Sequence, residues 1–232
     1  MTGNNRENTL KANLEGIRSR MSAASLRAGR KPAETRLVGV TKMVDSNLAG
    51  LLFQLGVPDL GESRPQELWH KSTQIPGAHW HFIGHMQRNK VEQSLPHIHL
   101  FHSVDSLRLL ETLESCARKL DRKLPFLLEF NISAEQSKQG FNPGDLDLLV
   151  QPLQKLQWLQ PSGLMGMAAF EEDPEKCRGS FRLLRELRDT LSQKLALPLP
   201  ELSMGMSNDF EIAIEEGSTL VRIGSTLWEG VQ

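Results

Sequence analysis

The sequence of 232 residues contains no tyrosine and only two cysteines. Cys116 and Cys177 stand far apart and form neither a CxxC nor a CxxH motif. This spacing excludes a disulfide framework, and so few cysteines are typical of a protein from a reducing compartment. We therefore expect both thiols to be structural and the protein to be cytoplasmic.

An excess of one charge and a long apolar run are missing as well. The formal net charge is −1, so the chain lacks the basic footprint of a nucleic-acid-binding protein. No apolar stretch is long enough to cross a bilayer, and residues 1–30 are polar and periodic, unlike a signal peptide. We therefore expect no nucleic-acid partner and no membrane association.

Short strand-forming segments alternate with helical segments along the chain. Strands are predicted at residues 36–42, 57–61, 78–84, 98–103, 125–132, 158–167, 202–206 and 219–224. Eight such units in about 250 residues are typical of an α/β protein with a (β/α)8 TIM barrel. An open doubly wound sheet is the alternative, but it more often has a glycine-rich turn after strand one, and Thr41-Lys42-Met43 has none. We predict one barrel domain over residues 1–232, preceded by an extra N-terminal helix.

Lys42 closes the first predicted strand. A lysine at the carboxyl end of a barrel strand enters the mouth, where active sites of this fold lie. Desolvation there favours the neutral amine, the form that attacks carbonyl groups. The alternative is a lysine that only marks the strand end and points to water. The other segments have to decide between the two.

Two further segments follow the last two predicted strands. Ser207 and Asn208 open a helix after strand seven, with Asn208 and Glu211 spaced as in a capping box. Gly224 and Ser225 follow strand eight. Barrels frequently bind phosphate at the loops after these two strands, and backbone N–H groups at a helix start attract anions. We expect a phosphate-binding site there, although Ser207 and Asn208 could be simple caps.

Arg222 lies within the last predicted strand and shares a strand face with Gly224. An arginine in an apolar strand is costly unless it is paired. It either forms an ion pair inside the barrel or donates to a flat heterocycle above it.

These residues resemble those of the pyridoxal phosphate homeostasis proteins, a family similar to the barrel domain of alanine racemase. The resemblance covers nearly the whole chain. It rests on Val38-Gly39-Val40-Thr41-Lys42, Gly61-Glu62, Trp80-His81-Phe82-Ile83-Gly84-His85, His102-Ser103-Val104-Asp105, Asn131-Ile132-Ser133 with Ser137-Lys138, Gly163-Leu164-Met165, Leu202-Ser203-Met204-Gly205-Met206-Ser207 and Val221-Arg222-Ile223-Gly224.

The resemblance implies that pyridoxal 5′-phosphate (PLP) is held as a Schiff base on Lys42. It implies phosphate contacts from Ser207, Gly224 and Ser225 and a contact of Arg222 with the pyridine nitrogen. The cofactor-binding set that we predict is completed by three residues: Ser63, His81 and Met206. Ser63 stands where the family usually has asparagine, and Met43-Val44 replaces the usual Thr-Lys. Lys138 is a further candidate for contact with PLP in transit.

The resemblance implies a role in PLP homeostasis without established turnover. A cation beside the pyridine nitrogen disfavours its protonation and weakens the ring as an electron sink. The related racemase uses a tyrosine as its second base, and this chain has no tyrosine. We expect a PLP carrier or buffer, a monomer or weak dimer, with apo PLP-dependent enzymes as candidate partners. The alternatives are a racemase-like enzyme or a class I aldolase-type barrel.

A zinc site is the remaining alternative from the sequence. His79 and His81 share a face of the third predicted strand. No cysteine or carboxylate neighbour in the sequence completes a ligand set, so no metal is expected.

Overall fold

A closed barrel of eight parallel strands forms the centre of the computed structural model, which describes residues 3–133 and 139–231. Each strand pairs with the next in the sequence, and β8 pairs with β1 from Arg36↔Leu220 to Gly39↔Ile223. The strands are β1 (Arg36–Val40), β2 (Asp59–Glu62), β3 (His79–Phe82), β4 (Leu100–Val104), β5 (Leu124–Phe130), β6 (Leu159–Gly166), β7 (Glu201–Ser203) and β8 (Leu220–Ile223).

Helices connect the strands and surround the barrel. They are α1 (Gly3–Arg27), α2 (Ser46–Gln54), α3 (Pro65–Gln74), α4 (Val91–Ser94), α5 (Leu107–Lys119), α6 (Leu146–Gln154), α7 (Arg178–Leu195) and α8 (Phe210–Glu215). Short 3-10 turns precede or follow several of them. None of the helices in the described ranges is long and apolar enough to span a bilayer.

The first helix is the N-terminal addition expected from the sequence. Leu10, Leu14 and Ile17 on α1 are fully buried or nearly so. Arg20 and Arg27 on its other side pair with Glu211 and Glu215 of α8. Because these pairs are exposed, the buried apolar face contributes more to holding α1 in place than the charges do.

Two buried regions differ in composition. The outer layer, between the strands and the helices, is a large apolar cluster that includes Leu52, Phe101 and Phe181. The barrel interior contains a separate small cluster: Val38, Leu100, Leu127, Met165 and Leu220. Strand residues point alternately to the two regions, so Val38 and its cross-strand neighbour Arg222 both face inward.

The barrel predicted from the sequence is confirmed, although several strand bounds differ by a few residues, and two differences bear on the site. Strand β1 ends at Val40, not Lys42. Helix α8 begins at Phe210, and the side chain of Asn208 donates to the carbonyl of Glu171 at 2.9 Å instead of capping the helix. The predicted capping box is wrong because the side chain of Asn208 bonds to the loop after β6 and not to the start of α8.

Candidate binding site at the mouth of the barrel

The loops after β7 and β8 meet at the carboxyl end of the barrel. The hydroxyl oxygen of Ser207 accepts from the backbone N–H of Gly224 at 3.3 Å and of Thr226 at 3.4 Å. One side chain therefore holds both loops together, as the sequence analysis requires for a shared anion site.

Backbone donors remain available where these loops meet. Within the described ranges, the N–H groups of Ser207 and Ser225 have no hydrogen-bond acceptor. The N–H of Met206 is already engaged, because it donates to Oδ1 of Asp209 at 2.6 Å. Unpaired amides at the mouth suit an anion, so Ser207 and Ser225 are better candidates for an anion contact than the amide of Met206.

Gly224 also brings the β8 loop close to the end of β1. A Cβ atom at position 224 would lie 3.4 Å from Cβ of Val40. The indole N–H of Trp228 donates to the carbonyl of Val40 at 2.7 Å and fixes this contact. The anion-binding loops are therefore joined to a strand that ends two residues before Lys42.

Lys42 lies in the turn after β1, and its side chain is exposed. The prediction that the side chain of Lys42 is desolvated is therefore wrong. The reason is local, since β1 ends at Val40 and the chain turns at residues 42–43 before the lysine is enclosed.

A buried ion pair fixes the residue before Lys42. Nζ of Lys71 lies 2.6 Å from Oε1 of Glu62, and both side chains are almost completely buried. The same ammonium donates to the carbonyl of Thr41 at 2.8 Å, and the hydroxyl of Thr41 donates to Glu62 at 3.0 Å. Lys42 therefore has a rigid neighbour although its own side chain is exposed.

Arg222 is 4 % exposed and lies inside the barrel. One terminal nitrogen donates to the hydroxyl of Ser203, and the other to the carbonyl of Gly166 at 3.2 Å. Burial lowers its pKa to about 10, against the opposing charges of Glu129 and Asp209, so the guanidinium remains a cation at neutral pH. No ion pair of Arg222 occurs in the part of the chain that the structure describes. Only two of its five N–H donors are engaged there, which leaves donors for a ligand.

Ser63 and His81 occupy different positions. Ser63 is half-buried after β2, and its N–H donates to Glu62 at 3.0 Å. It contacts the loop after β3, because a Cβ at Gly84 would lie 2.3 Å from the Ser63 carbonyl oxygen. His81 is fully buried, with Nδ1 2.8 Å from Nε2 of His102 and Nε2 3.1 Å from Oδ1 of Asp59. Both ring nitrogens are engaged, so His81 has no free nitrogen for a direct contact with a ligand.

The remaining candidates from the sequence are His79, the two cysteines and Lys138. His79 stacks on His99 with ring centroids 4.4 Å apart. In the described ranges no group of three or more His, Cys, Asp or Glu side chains is arranged to hold a metal ion. Both cysteines are free and buried. Lys138 lies outside the described residues.

Glu129, near the end of β5, was missed in the sequence analysis. It is 5 % exposed, and its pKa is raised to about 7 because burial and the nearby charge of Asp105 disfavour the carboxylate. Arg222 and His85 oppose this shift. The available signal was an acidic residue at an inward position of the apolar strand Leu124–Phe130.

Comparisons with known proteins place the chain in a family. The model of the alanine racemase N-terminal domain matches residues 7–230. A pyridoxal phosphate homeostasis protein of Aquifex aeolicus is 38% identical over 217 residues, which are 93% of this chain and 95% of that protein. The chain belongs to the pyridoxal phosphate homeostasis protein family.

Two solved structures of similar sequence share the fold. An unknown protein from Bifidobacterium adolescentis is 31% identical and superposes with a TM-score of 0.91, covering 98% of this chain and 97% of its own. PipY of Synechococcus elongatus, solved with PLP bound, is 33% identical with a TM-score of 0.79, covering 91% of this chain and 99% of its own. The family membership and the barrel expected from the sequence are thereby confirmed.

Proposed function

We propose that this protein binds PLP at the mouth of the barrel and acts in PLP homeostasis as a carrier or buffer. The observation that carries the proposal is Arg222, a buried cation with unengaged donors and no carboxylate partner in the described residues. A buried guanidinium in that condition is costly unless a ligand supplies an acceptor. The pyridine nitrogen of PLP is such an acceptor.

Three groups of PLP match three features of the site. PLP supplies an aldehyde that an amine can hold as a Schiff base. The exposed amine of Lys42 would take the aldehyde, and the unpaired amides of Ser207 and Ser225 would take the phosphate. The structures and names of family members support this assignment, because PipY was solved with PLP bound.

The experiment is borohydride reduction of the PLP-loaded protein followed by peptide mass analysis. We expect the pyridoxyl adduct on the peptide that contains Lys42, and loss of the adduct and of the PLP absorbance band in Lys42→Ala. Lys176→Ala is the matched control, because Lys176 is another exposed lysine beyond a strand at the same end of the barrel. An unchanged cofactor band in Lys42→Ala would contradict the assignment.

A carrier is favoured over an amino-acid enzyme by the groups around the site. Arg222 beside the pyridine nitrogen would keep the nitrogen unprotonated, and such a ring is a weak electron sink. The chain has no tyrosine to act as a second base, and both nitrogens of His81 are engaged. Robust racemase, decarboxylase, transaminase or aldolase turnover by the purified, PLP-loaded protein would favour the enzyme alternative.

Apo PLP-dependent enzymes are the partners that we propose for the carrier. Large apolar side chains are exposed in the loops around the mouth, including Phe170 at 82 % and Met43 at 65 % exposure. Such exposure suits transient contact with another protein. We expect transfer of PLP to an apo-enzyme in the presence of a trap for free PLP, and slower transfer from Phe170→Ser.

We propose a monomer or weak dimer in solution, which sedimentation velocity with and without PLP would test.

A further inference from the structure

Five buried polar side chains form one continuous line across the inside of the barrel. They come from β2, β3, β4, β7 and β8, and they are Asp59, His81, His102, Ser203 and Arg222. Nε2 of His81 lies 3.1 Å from Oδ1 of Asp59, and Nδ1 of His81 lies 2.8 Å from Nε2 of His102. Nδ1 of His102 lies 2.9 Å from Oγ of Ser203, which accepts from Arg222. No link in the line needs a water molecule.

The two ends of the line fix the direction of every hydrogen bond. Arg222 can only donate, so the hydroxyl of Ser203 accepts from it and donates its own proton to Nδ1 of His102. His102 then carries its proton on Nε2 and donates to Nδ1 of His81, and His81 donates from Nε2 to Asp59. An ionised carboxylate can only accept, which closes the series without a conflict.

The charges of the groups agree with this order. Burial would raise the pKa of Asp59, but the hydrogen bond from His81, the charge of Arg36 and the hydrogen bond from His79 hold it below its usual value, so Asp59 is ionised. Burial lowers the pKa of His81 although Asp59 opposes the shift, and it lowers the pKa of His102 further, with Arg222 and Arg36 adding to the effect. Both imidazoles are therefore neutral, with one donor and one acceptor nitrogen each.

The line starts at the amino-terminal end of β2 and ends in β8. Arg222 lies near the mouth, where Gly224 follows it. Asp59 begins β2 and lines a cavity of about 450 Å³ at the amino-terminal ends of the first strands, together with Arg18 and Arg36. A buried anion at one end and a buried cation at the other are joined by dipoles that all point the same way, and such a series reinforces each of its bonds.

We propose that Ser203, His102, His81 and Asp59 are positioning residues that act as one directional hydrogen-bond chain to hold the guanidinium of Arg222 against the pyridine nitrogen of PLP. The chain uses donors of Arg222 that face away from the ligand and restricts the rotation of the guanidinium. The inference rests on the proposed function and assigns His81 an indirect role in place of the direct cofactor contact predicted from the sequence.

The first experiment needs no cofactor. In apo-protein labelled with ¹⁵N-histidine, NMR should show two of the seven histidines, His81 and His102, neutral with the proton on Nε2 throughout pH 6–9, and Ser203→Ala should shift the Nδ1 signal of His102. A protonated His81 or His102, or a proton on Nδ1 of either ring, would overturn the directional chain.

The second experiment measures the rate of PLP release and the absorbance maximum of the bound cofactor. We expect Ser203→Ala to accelerate release several-fold and to shift the band, and Asp59→Asn to act in the same direction more weakly. Ser203→Thr keeps a hydroxyl and should stay close to the wild type. Equal impairment of the Thr and Ala variants, or wild-type release from both Ser203→Ala and Asp59→Asn, would overturn the positioning role.

The two failures are distinguishable. Without a borohydride-fixed adduct on Lys42 in the wild type, the proposed function and the positioning role fall together, whatever the NMR spectra show. With the adduct present and the histidines in the wrong protonation state, only the chain is overturned.

Discussion

The outer layer and the barrel interior are both buried, but they use different chemistry. The outer layer packs apolar side chains from helices against the outward faces of the strands, with the Glu62–Lys71 pair as a buried exception. The interior has a small apolar cluster and, beside it, the line from Asp59 to Arg222. The difference indicates that the outer layer supplies most of the stability, whereas the interior orients groups for the mouth.

The largest effect should come from removing a ring in the outer layer. Phe181 on α7 is fully buried, and Phe181→Ala should lower the free energy of unfolding by about 3–5 kcal/mol through lost burial and the cavity left behind. Urea unfolding measures the loss, and Phe181→Leu, which removes less volume, should cost less. The absorbance of bound PLP in the native protein should not change, and a shifted band would contradict the separation of the two regions.

Breaking the ion pair of the outer layer should have the next largest effect. Lys71→Met leaves the buried Glu62 without its cation, so we expect a loss of about 3 kcal/mol in urea unfolding. The double variant Lys71→Met/Glu62→Gln should recover part of it. Lys11→Met breaks the exposed pair with Glu7 and should cost at most about 0.5 kcal/mol. Equal losses at positions 71 and 11 would show that burial of the pair has no consequence.

Glu129 allows a test of the interior by pH. The ordinary pKa of a glutamate is 4.5, and the pKa of Glu129 in the folded protein is about 7. At a pH between these two values, the unfolded chain has released a proton that the folded chain retains. The free energy of unfolding therefore falls by a total of about 3 kcal/mol as the pH rises through this window. Above the window, Glu129 has no further effect on it. Glu129→Gln cannot ionise, so urea unfolding of the apo-protein should show it more stable than the wild type at pH 8 but not at pH 4.5.

Glu172→Gln is the control for this comparison, since Glu172 is exposed. It should change the stability little at either pH. The same gain of Glu129→Gln at pH 4.5 and pH 8 would exclude ionisation as its cause.

The smallest effect on stability is expected at the contact between β1 and the segment after β8. Trp228→Phe keeps the ring but loses the 2.7 Å bond to the carbonyl of Val40, at a cost of about 1 kcal/mol. Trp69→Phe, which loses the bond to Ser94, is the matched change at a position on α3. Only Trp228→Phe should also weaken PLP binding, measured by absorbance titration, and equal PLP affinity of both variants would contradict the link between this contact and the site.

The barrel could be predicted because its signals are local. Alternating strands and helices are visible in the sequence, and parallel strands bring their carboxyl ends to one face. The meeting of the loops after β7 and β8 followed from the strand order alone. The contact between Ser207 and the amides of Gly224 and Thr226 agrees with that expectation.

The rest depended on distances between residues remote in the sequence. The exposure of Lys42 follows from a turn that begins two residues earlier than the strand pattern indicates. The pairing of His81 with both Asp59 and His102 depends on the register of three strands. That register could not be derived from the sequence pattern. The shifted pKa of Glu129 depends on how deeply β5 is enclosed and on the position of Asp105.

The contact between β8 and β1 has one further consequence. Asn13 of α1 donates to the carbonyls of Leu227 and Glu229 at 3.0 and 2.9 Å, beside the bond from Trp228 to Val40. Residues from α1 and from the segment after β8 thus fasten the same junction, which is two residues from Lys42 and three residues from Ser225 along the chain. A molecule that bridges this junction binds only the joined form and stabilises it by mass action. If PLP binds there as proposed, local opening of the first and last strands should become rarer as the PLP concentration rises.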